Sequence, residues 1–280
     1  MKNIFVGNLN FGATEDAVRS LFEAYGTVER VSIVTDRDSG QPRGFGFVEM
    51  SANAEADRAI DAVMRTNLLR EGEGWLSEET VDDFSRLHKE RVWVVDPLDG
   101  TREFVQGIPE FCVSIGFVEN GKPVAGGIYN PATKETFLGA IDAGVLYNGQ
   151  LAYASQRASL EGARVLASRS EVKRGEWKEF ATAAFKTEAM GSVAYKLALV
   201  SAGLADVTFT LTPKNEWDVV AGAALVTSAG GFVSTLEKTD LVANRKDPLL
   251  SGLLACGPHM KDELLALVEP HLRQTAAIEK

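Results

Sequence analysis

A strand-like stretch that ends in two carboxylates constrains this chain more than any other feature. The apolar run Trp93-Val94-Val95 leads into Asp96-Pro97-Leu98-Asp99-Gly100-Thr101, where proline and glycine restrict the turn between the acids. Carboxylate and carbonyl oxygens held on a stiff backbone are the ligands that small divalent cations such as Mg²⁺ prefer. A second stretch, Glu216-Trp217-Asp218-Val219-Val220-Ala221-Gly222, supplies another half-site. Together they predict a metal-dependent phosphoryl-transfer site.

Composition and charge narrow the class of protein. The chain has 280 residues and a net charge of −10 at pH 7, which argues against a general affinity for nucleic acid. No apolar run approaches the ~20 residues that a membrane-spanning helix needs. The N-terminus enters a strand pattern directly, so we expect no signal peptide and a cytoplasmic location. Only Cys112 and Cys256 occur, and we interpret both as buried free thiols of a reducing compartment.

The chain contains two consecutive units that differ in their pattern of predicted strands and helices. Residues 1–63 read as strand, helix, strand, strand and helix, with Thr14 as the cap of the first helix. From about Gly74 onward, strand and helix patterns alternate over a longer stretch that contains both acidic segments. Neither an internal repeat nor a low-complexity linker separates the two units. The sequence therefore predicts two units without a spacer between them.

The first unit resembles an RNA-recognition motif. Ile4-Phe5-Val6-Gly7-Asn8-Leu9 and Arg43-Gly44-Phe45-Gly46-Phe47-Val48-Glu49-Met50 are similar to its two signature segments, with Met50 in place of the last aromatic residue. The resemblance implies that Phe5, Phe45 and Phe47 stack on unpaired bases of single-stranded RNA, and that Arg43 meets a phosphate. The alternative is that these phenylalanines are core residues. The motif's fourth strand is missing after Val63, and residues 1–50 hold seven acids against five bases, which weakens the attraction to RNA.

The second unit resembles the inositol monophosphatase superfamily, whose members are Mg²⁺-dependent phosphomonoesterases. The similarity covers roughly residues 54–267 and rests on Glu78-Glu79 together with the two acidic stretches described above. It implies two Mg²⁺ ions and a weaker third. Glu78, Asp96 and the Leu98 carbonyl would hold the first ion. Asp96, Asp99 and Asp218 would hold the second.

The same resemblance implies catalytic and phosphate-binding roles. Glu78 and Thr101 would orient the attacking water, and Asp57 would be an acid near Thr101. The backbone N–H groups of Gly100 and Thr101, at a helix N-terminus, would bind phosphate oxygens. The ions would lower the pKa of a water and neutralise charge on the phosphate and the leaving alkoxide.

The resemblance implies that the substrate is a small phosphorylated metabolite, either an inositol phosphate or a 3′(2′),5′-bisphosphate nucleotide. Leu211 stands where inositol-preferring members carry a glutamate, which weakens the inositol alternative. Ser192 opens a helix that carries Lys196, in a region where relatives that act on bisphosphate nucleotides have a lysine. Lys196 would contact a second phosphate; the alternative is a surface lysine. The resemblance also puts Asp218 beside the substrate.

The two resemblances overlap on the helix that begins at about Ala54. We expect an α+β chain with a partial βαββα RRM (ferredoxin-like) unit over residues 1–63, followed by a layered αβαβα sugar-phosphatase-type sandwich over residues 54–280. The first would lack its fourth strand, the second its first helix and lid hairpin, and a helix over residues 54–70 would be shared. The first hypothesis is a phosphomonoesterase. The alternative is a single-stranded RNA-binding protein with a weakened phosphatase body. Relatives are commonly dimers, so a homodimer is a further expectation.

Overall fold

The computed structural model describes residues 2–6, 9–10, 12–36, 40–237 and 239–278. The chain forms two compact units, residues 1–68 and 69–280. The strands are β1 Lys2–Val6, β2 Val28–Thr35, β3 Pro42–Met50, β4 Gly74–Ser77, β5 Arg91–Asp99, β6 Cys112–Glu119, β7 Lys122–Asn130, β8 Glu135–Ala140, β9 Gly144–Tyr147, β10 Gln150–Ala152, β11 Arg164–Ser168, β12 Lys186–Met190, β13 Val207–Thr210, β14 Lys214–Asn215, β15 Phe232–Ser234, β16 Leu249–Leu250 and β17 Leu253–Cys256. The helices are α1 Glu15–Glu23, α2 Asn53–Leu68, α3 Thr101–Gln106, α4 Arg169–Arg174, α5 Val193–Ser201, α6 Glu216–Ser228 and α7 Lys261–Ile278.

The first unit is an antiparallel sheet in the order β1-β3-β2, with α1 and α2 packed on it. Helix α1 begins after Thr14, whose Oγ1 accepts a hydrogen bond from the Ala17 N–H at 3.2 Å, as the sequence predicted. Apolar side chains of the strands and of both helices form the core. The next strand along the chain, β4, pairs with β5 of the second unit. Within the described residues, the first unit therefore has the predicted βαββα order and three strands.

The second unit contains two large sheets with helices between them. Seven strands lie in the order β10-β9-β8-β7-β6-β5-β4, and five lie in the order β12-β11-β13-β17-β15. Eight of the nine residues of α5 and nine of the thirteen residues of α6 are buried, as expected for helices that are covered on both sides. They share one core with side chains of both sheets, including Val94, Phe137, Leu166 and Leu253. A second core joins the five-stranded sheet to α7 and Trp177. This unit is therefore a layered sandwich of sheets and helices.

Two glycines bring α6 close to the seven-stranded sheet. Gly116 on β6 and Gly126 on β7 are register partners. A Cβ atom at Gly116 would lie 2.6 Å from Val220 Cγ1, and one at Gly126 would overlap the Ala221 carbonyl oxygen. A packed core has few voids that could absorb such an atom. The absence of side chains at these two positions therefore fixes the depth at which α6 lies.

Several predicted features of sequence and packing agree with the structure. The sequence pattern predicts strands over Cys112–Glu119 and Glu135–Ala140, which are the bounds of β6 and β8. It also predicts a last helix that ends at about Arg273, whereas α7 extends to Ile278. Cys112 and Cys256 are buried free thiols. Among the described residues, no helix has both the length and the apolar character required to cross a membrane.

We expect Gly126→Ala to lower the free energy of unfolding by about 1–3 kcal/mol, because an added methyl group overpacks the contact with α6. Gly127→Ala is the matched control, since a Cβ atom there approaches only the flexible Leu138 side chain, at 3.1 Å. Urea unfolding of both variants measures the difference. Equal stability of the two variants would show that α6 can move away from the sheet at no cost.

Candidate active site

The first pair of acids lies at an irregular end of β5. The strand continues to Asp99, four residues beyond the apolar run that ends at Val95. Asp96 pairs with Ser114 and Asp99 with Cys112, so three steps along β5 match two along β6. In a regular strand, residues three apart point to opposite faces, and one extra residue reverses that alternation. The bulge therefore allows both carboxylates to point to the same side of the sheet.

The third acid comes from the first turn of α6. Asn215 caps this helix, and its backbone N–H donates to Asp218 Oδ2 at 3.2 Å. This reciprocal capping fixes the Asp218 side chain relative to the helix start. Because glycines hold α6 against the sheet, the carboxylate is held close to the end of β5.

Three carboxylates meet where these elements converge. One oxygen from each of Asp96, Asp99 and Asp218 lies within 4.8 Å of the other two. Asp96 is 1% exposed and Asp99 is 8% exposed. Burial raises the pKa of all three, and the charges of neighbouring acids add to this for Asp96 and Asp218. The pKa of Asp218 rises to about 8. A buried, all-oxygen cluster of this kind fits a hard divalent cation such as Mg²⁺.

Glu78 stands beside this trio. It follows β4, which runs parallel to β5 with Ser77 opposite Val95, and its N–H donates to the Val95 carbonyl at 3.3 Å. Its side chain is exposed and lines the same cavity as Asp99 and Asp218. Its charge raises the pKa of Asp96 and Asp218, which places it within electrostatic reach of both. The structure therefore brings all four predicted acids to one region.

The predicted Leu98 and Thr101 contact one another. Thr101 Oγ1 donates to the Leu98 carbonyl oxygen at 3.1 Å. Thr101 opens α3, and Gly100 precedes it with a φ of 93°, a conformation that favours glycine. A Cβ atom at Gly100 would lie 2.7 Å from the Glu110 carbonyl oxygen, so space also requires a glycine here. The hydrogen bond from Thr101 to Leu98 thus joins the start of α3 to the end of β5.

Ser192 connects the five-stranded sheet to the acids. It caps α5, and its Oγ donates to Asp99 Oδ2 at 2.6 Å. The Ala194 N–H donates to the same oxygen at 2.7 Å. A carboxylate that accepts two hydrogen bonds keeps a fixed orientation, as is common for metal-binding carboxylates.

Lys196 lies on α5 behind Ser192. Its side chain is 4% exposed, so it is not a surface lysine. Its Nζ donates to the Ser192 carbonyl oxygen at 2.7 Å and to two further backbone carbonyls at 3.4–3.5 Å. Burial lowers the pKa of Lys196 to about 8, although the nearby Asp99 charge opposes the shift. Lys196 therefore contributes a positive charge behind Asp99, with its ammonium hydrogens directed to the backbone.

A cavity of about 450 Å³ adjoins the acids. Its wall contains Gly100, Thr101, Ser192 and several basic side chains. The basic residues are Arg102, Arg169, Arg174, Lys196 and Lys214. A cavity lined by both acidic and basic side chains suits an anionic substrate that is held against a cation.

Sequence reasoning missed two buried polar clusters around this cavity. Glu171, 2% exposed, accepts hydrogen bonds from Thr210, Thr212 and Lys214. Glu216, fully buried, accepts the N–H groups of residues 244 and 245 at 2.7 and 2.9 Å. Glu216 was visible beside Trp217 and Asp218 in the sequence, but its partners lie 28 and 29 residues further along the chain.

The remaining predicted site residues belong to the first unit. Asp57 is a buried residue of α2. Phe5 and Phe47 are register partners on β1 and β3, Phe47 is half-buried and Arg43 is exposed. The side chains of Phe5 and Phe45 lie outside the described part of the chain. The roles assigned to these residues stay predictions.

We expect Mg²⁺ to raise the melting temperature more at pH 9 than at pH 6. The pKa of Asp218 rises from its usual value near 4 to about 8 on folding, so the metal-free fold loses stability as the pH rises between these values. Cation binding requires deprotonated carboxylates and is therefore stronger at high pH. Differential scanning calorimetry measures both effects, with Asp218→Asn as the control that reduces them. A melting temperature that does not respond to Mg²⁺ at either pH would contradict this expectation.

Comparison with known proteins supports the assignment of the second unit. The model of the inositol monophosphatase family matches residues 14–273. The inositol-1-monophosphatase of Mesorhizobium japonicum is 33% identical over 239 residues, which are 82% of this chain and 85% of that protein. The fructose-1,6-bisphosphatase/inositol-1-monophosphatase of Thermotoga maritima is 33% identical over 187 residues, which are 64% of this chain and 68% of that protein.

The fold agrees with that of solved relatives. The inositol monophosphatase of Anabaena superimposes with a TM-score of 0.65 at 30% identity, covering 77% of this chain and 86% of that one. The family model begins at residue 14 and so includes most of the segment that resembles an RNA-recognition motif. These similarities therefore give no support to a fused RNA-recognition unit. They do show that the chain belongs to the inositol monophosphatase family of phosphomonoesterases.

Proposed function

We propose that this protein hydrolyses a small phosphomonoester in a Mg²⁺-dependent reaction. The observation that carries the proposal is the convergence of Asp96, Asp99 and Asp218 within 4.8 Å of one another, beside a cavity with basic walls. Because the chain belongs to the inositol monophosphatase family, phosphomonoester hydrolysis is the expected reaction. The geometry adds a place where a phosphate and a cation can meet.

The acids divide into two overlapping ligand sets. Glu78, Asp96 and the Leu98 carbonyl would hold one Mg²⁺, while Asp96, Asp99 and Asp218 would hold another. When bound, the ions would supply charge neutralisation and an activated water. A third, weaker ion stays an expectation from the family resemblance.

The remaining groups would bind and orient the reactants. Glu78 and Thr101 would orient the water. The Thr101 hydroxyl would relay a proton from this water to a carboxylate. The N–H groups of Gly100 and Thr101 would bind phosphate oxygens. Asp57 in this scheme stays a proposal, because it lies in the first unit. A homodimer and a cytoplasmic location are likewise proposals.

We favour a substrate that carries a second anionic group. Five basic residues line the cavity, and Arg102 is exposed beside the start of α3. Leu211, at the position of the expected sugar-binding glutamate, packs against the second core instead. A 3′(2′),5′-bisphosphate nucleotide fits this pattern better than an inositol monophosphate. Lys196 would then act through its charge, because its donors already serve backbone carbonyls.

We expect Asp96→Asn to reduce phosphate release by at least about 100-fold, because the shared ligand of both ions is lost. Asp240→Asn, which alters an exposed acid remote in sequence from both acidic stretches, is the control. Phosphate release is measured with inositol phosphates, 3′,5′-bisphosphoadenosine, sugar phosphates and fructose bisphosphate, with and without Mg²⁺. No release from any ester by the wild-type protein would contradict the proposed function.

The first unit supplies a second candidate function, the binding of single-stranded RNA. The observation that favours it is the strand order β1-β3-β2 with residue 5 opposite residue 47. On β3, the buried residues Gly46, Val48 and Met50 alternate with the half-buried Phe47. We assign residues 1–63 to this partial unit, although α2 extends to Leu68.

If the sheet binds RNA, Phe47→Ala will weaken binding by about 1–3 kcal/mol, because stacking on an aromatic ring is lost. Fluorescence anisotropy with a labelled oligonucleotide measures the affinity, and phosphate release by the same variant is expected to stay unchanged. The absence of saturable binding by the wild-type protein would remove this function from consideration.

A further inference from the structure

We propose that Glu110 is a positioning residue for the metal site and that it acts through the turn formed by Gly191 and Ser192. This inference rests on the proposed function, because it takes Asp99 as a metal ligand. Glu110 lies between α3 and β6, outside both acidic stretches. It joins three segments that the chain brings to one wall of the cavity.

The contacts of Glu110 are short and directional. Its Oε2 accepts the Gly191 N–H at 2.6 Å. Its two carboxylate oxygens accept hydrogen bonds from Arg169, with Nη2–Oε1 at 2.5 Å and Nε–Oε2 at 3.2 Å. A two-oxygen pairing with a guanidinium fixes the orientation of the carboxylate. Glu110 therefore holds the Gly191 peptide at a defined position relative to the start of α4.

The turn that Glu110 holds is strained. Ser192 has a φ of 52°, a region that residues other than glycine rarely adopt. Such a conformation persists only where surrounding contacts impose it. This conformation allows Ser192 Oγ and the Ala194 N–H to donate hydrogen bonds to the same oxygen, Asp99 Oδ2. Relaxation of the turn would remove these two bonds and release the carboxylate.

The same turn is packed by a second acid. A Cβ atom at Gly191 would overlap the Glu103 side chain, which belongs to α3. Glu103 Oε1 lies 3.9 Å from Arg169 Nε, so Arg169 stands between the two glutamates. The cluster of Glu103, Arg169 and Glu110 thus links α3, α4 and the turn before α5. Loss of Glu110 would leave Arg169 to the weaker contact with Glu103 and would free the Gly191 N–H.

If the Glu110–Arg169 ion pair had only a structural role, the effect of its loss would be different. Such a pair would change stability alone, whereas a positioning residue also changes the affinity of the acids for a cation. The pair Arg164–Glu188 is the matched control, because it joins at 2.9 Å and Glu188 lies on β12 only three residues before Gly191. Both of its side chains are more than 40% exposed.

The test is a calorimetric titration of the metal-free full chain with Mn²⁺, without substrate. We expect Glu110→Ala to weaken Mn²⁺ binding by about 10-fold or more, as is typical when a group that orients a metal ligand is removed. Glu188→Ala should leave the affinity unchanged. Glu110→Gln keeps an oxygen for the Gly191 N–H but loses the charge that pairs with Arg169, so its affinity should lie between those of the wild type and Glu110→Ala.

The outcomes are separable. Wild-type Mn²⁺ affinity in both Glu110 variants would overturn the inference. If Glu110→Ala does not fold, the Mn²⁺ affinities of Glu110→Gln and Glu188→Ala are compared instead. Equal affinities of these two variants would overturn the inference. A wild-type protein that binds Mn²⁺ but hydrolyses no ester would contradict the proposed function alone. A wild type that binds no Mn²⁺ would overturn both.

Discussion

Repulsion among three closely spaced carboxylates is the constraint on which the second unit depends. Asp96 and Asp99 are buried and Asp218 is half-buried, and burial raises the pKa of all three carboxyl groups. Left alone, such groups would separate or stay protonated. The fold keeps them together with a bulge in β5, a capping box on α6 and the hydrogen bonds from Ser192 and Ala194. A divalent cation relieves the repulsion, so the same arrangement that costs stability creates affinity for metal.

Rigid packing makes this arrangement possible. Helix α6 lies against Gly116 and Gly126, and a Cβ atom at Gly222 would lie 2.7 Å from Leu197 Cδ1 of α5. Glu216 ties the start of α6 to the segment at residues 244–245. These contacts lie within the layered sandwich, which therefore acts as a frame for the acids. Short polar side chains in that frame then reach one point from elements far apart in sequence.

The acids of the site could be predicted from the sequence. The hydrogen bonds that hold them in place could not. Asp96, Asp99 and Asp218 stand in short local patterns whose chemistry can be stated without a fold. The hydrogen bond from Gly191 to Glu110 spans 81 residues. The fully buried Arg86 donates from Nη1 to Asn244 Oδ1, 158 residues away. Such pairs become visible only when the strand order is known. Lys196 shows the same limit, since the family resemblance implied a cation near the site but not that the ammonium hydrogens of Lys196 bind backbone carbonyls.

The sequence of α2 fits both resemblances, and Ala56 and Ala59 of this helix are buried in the core of the first unit. The central claim, however, is that the acids bind divalent cations. It is tested most directly by anomalous diffraction from crystals of this protein grown with Mn²⁺. The account predicts anomalous peaks about 2.1 Å from oxygens of Asp96, Asp99 and Asp218, a distance expected for hard cations. A well-ordered crystal structure with no anomalous density among these three carboxylates would contradict it.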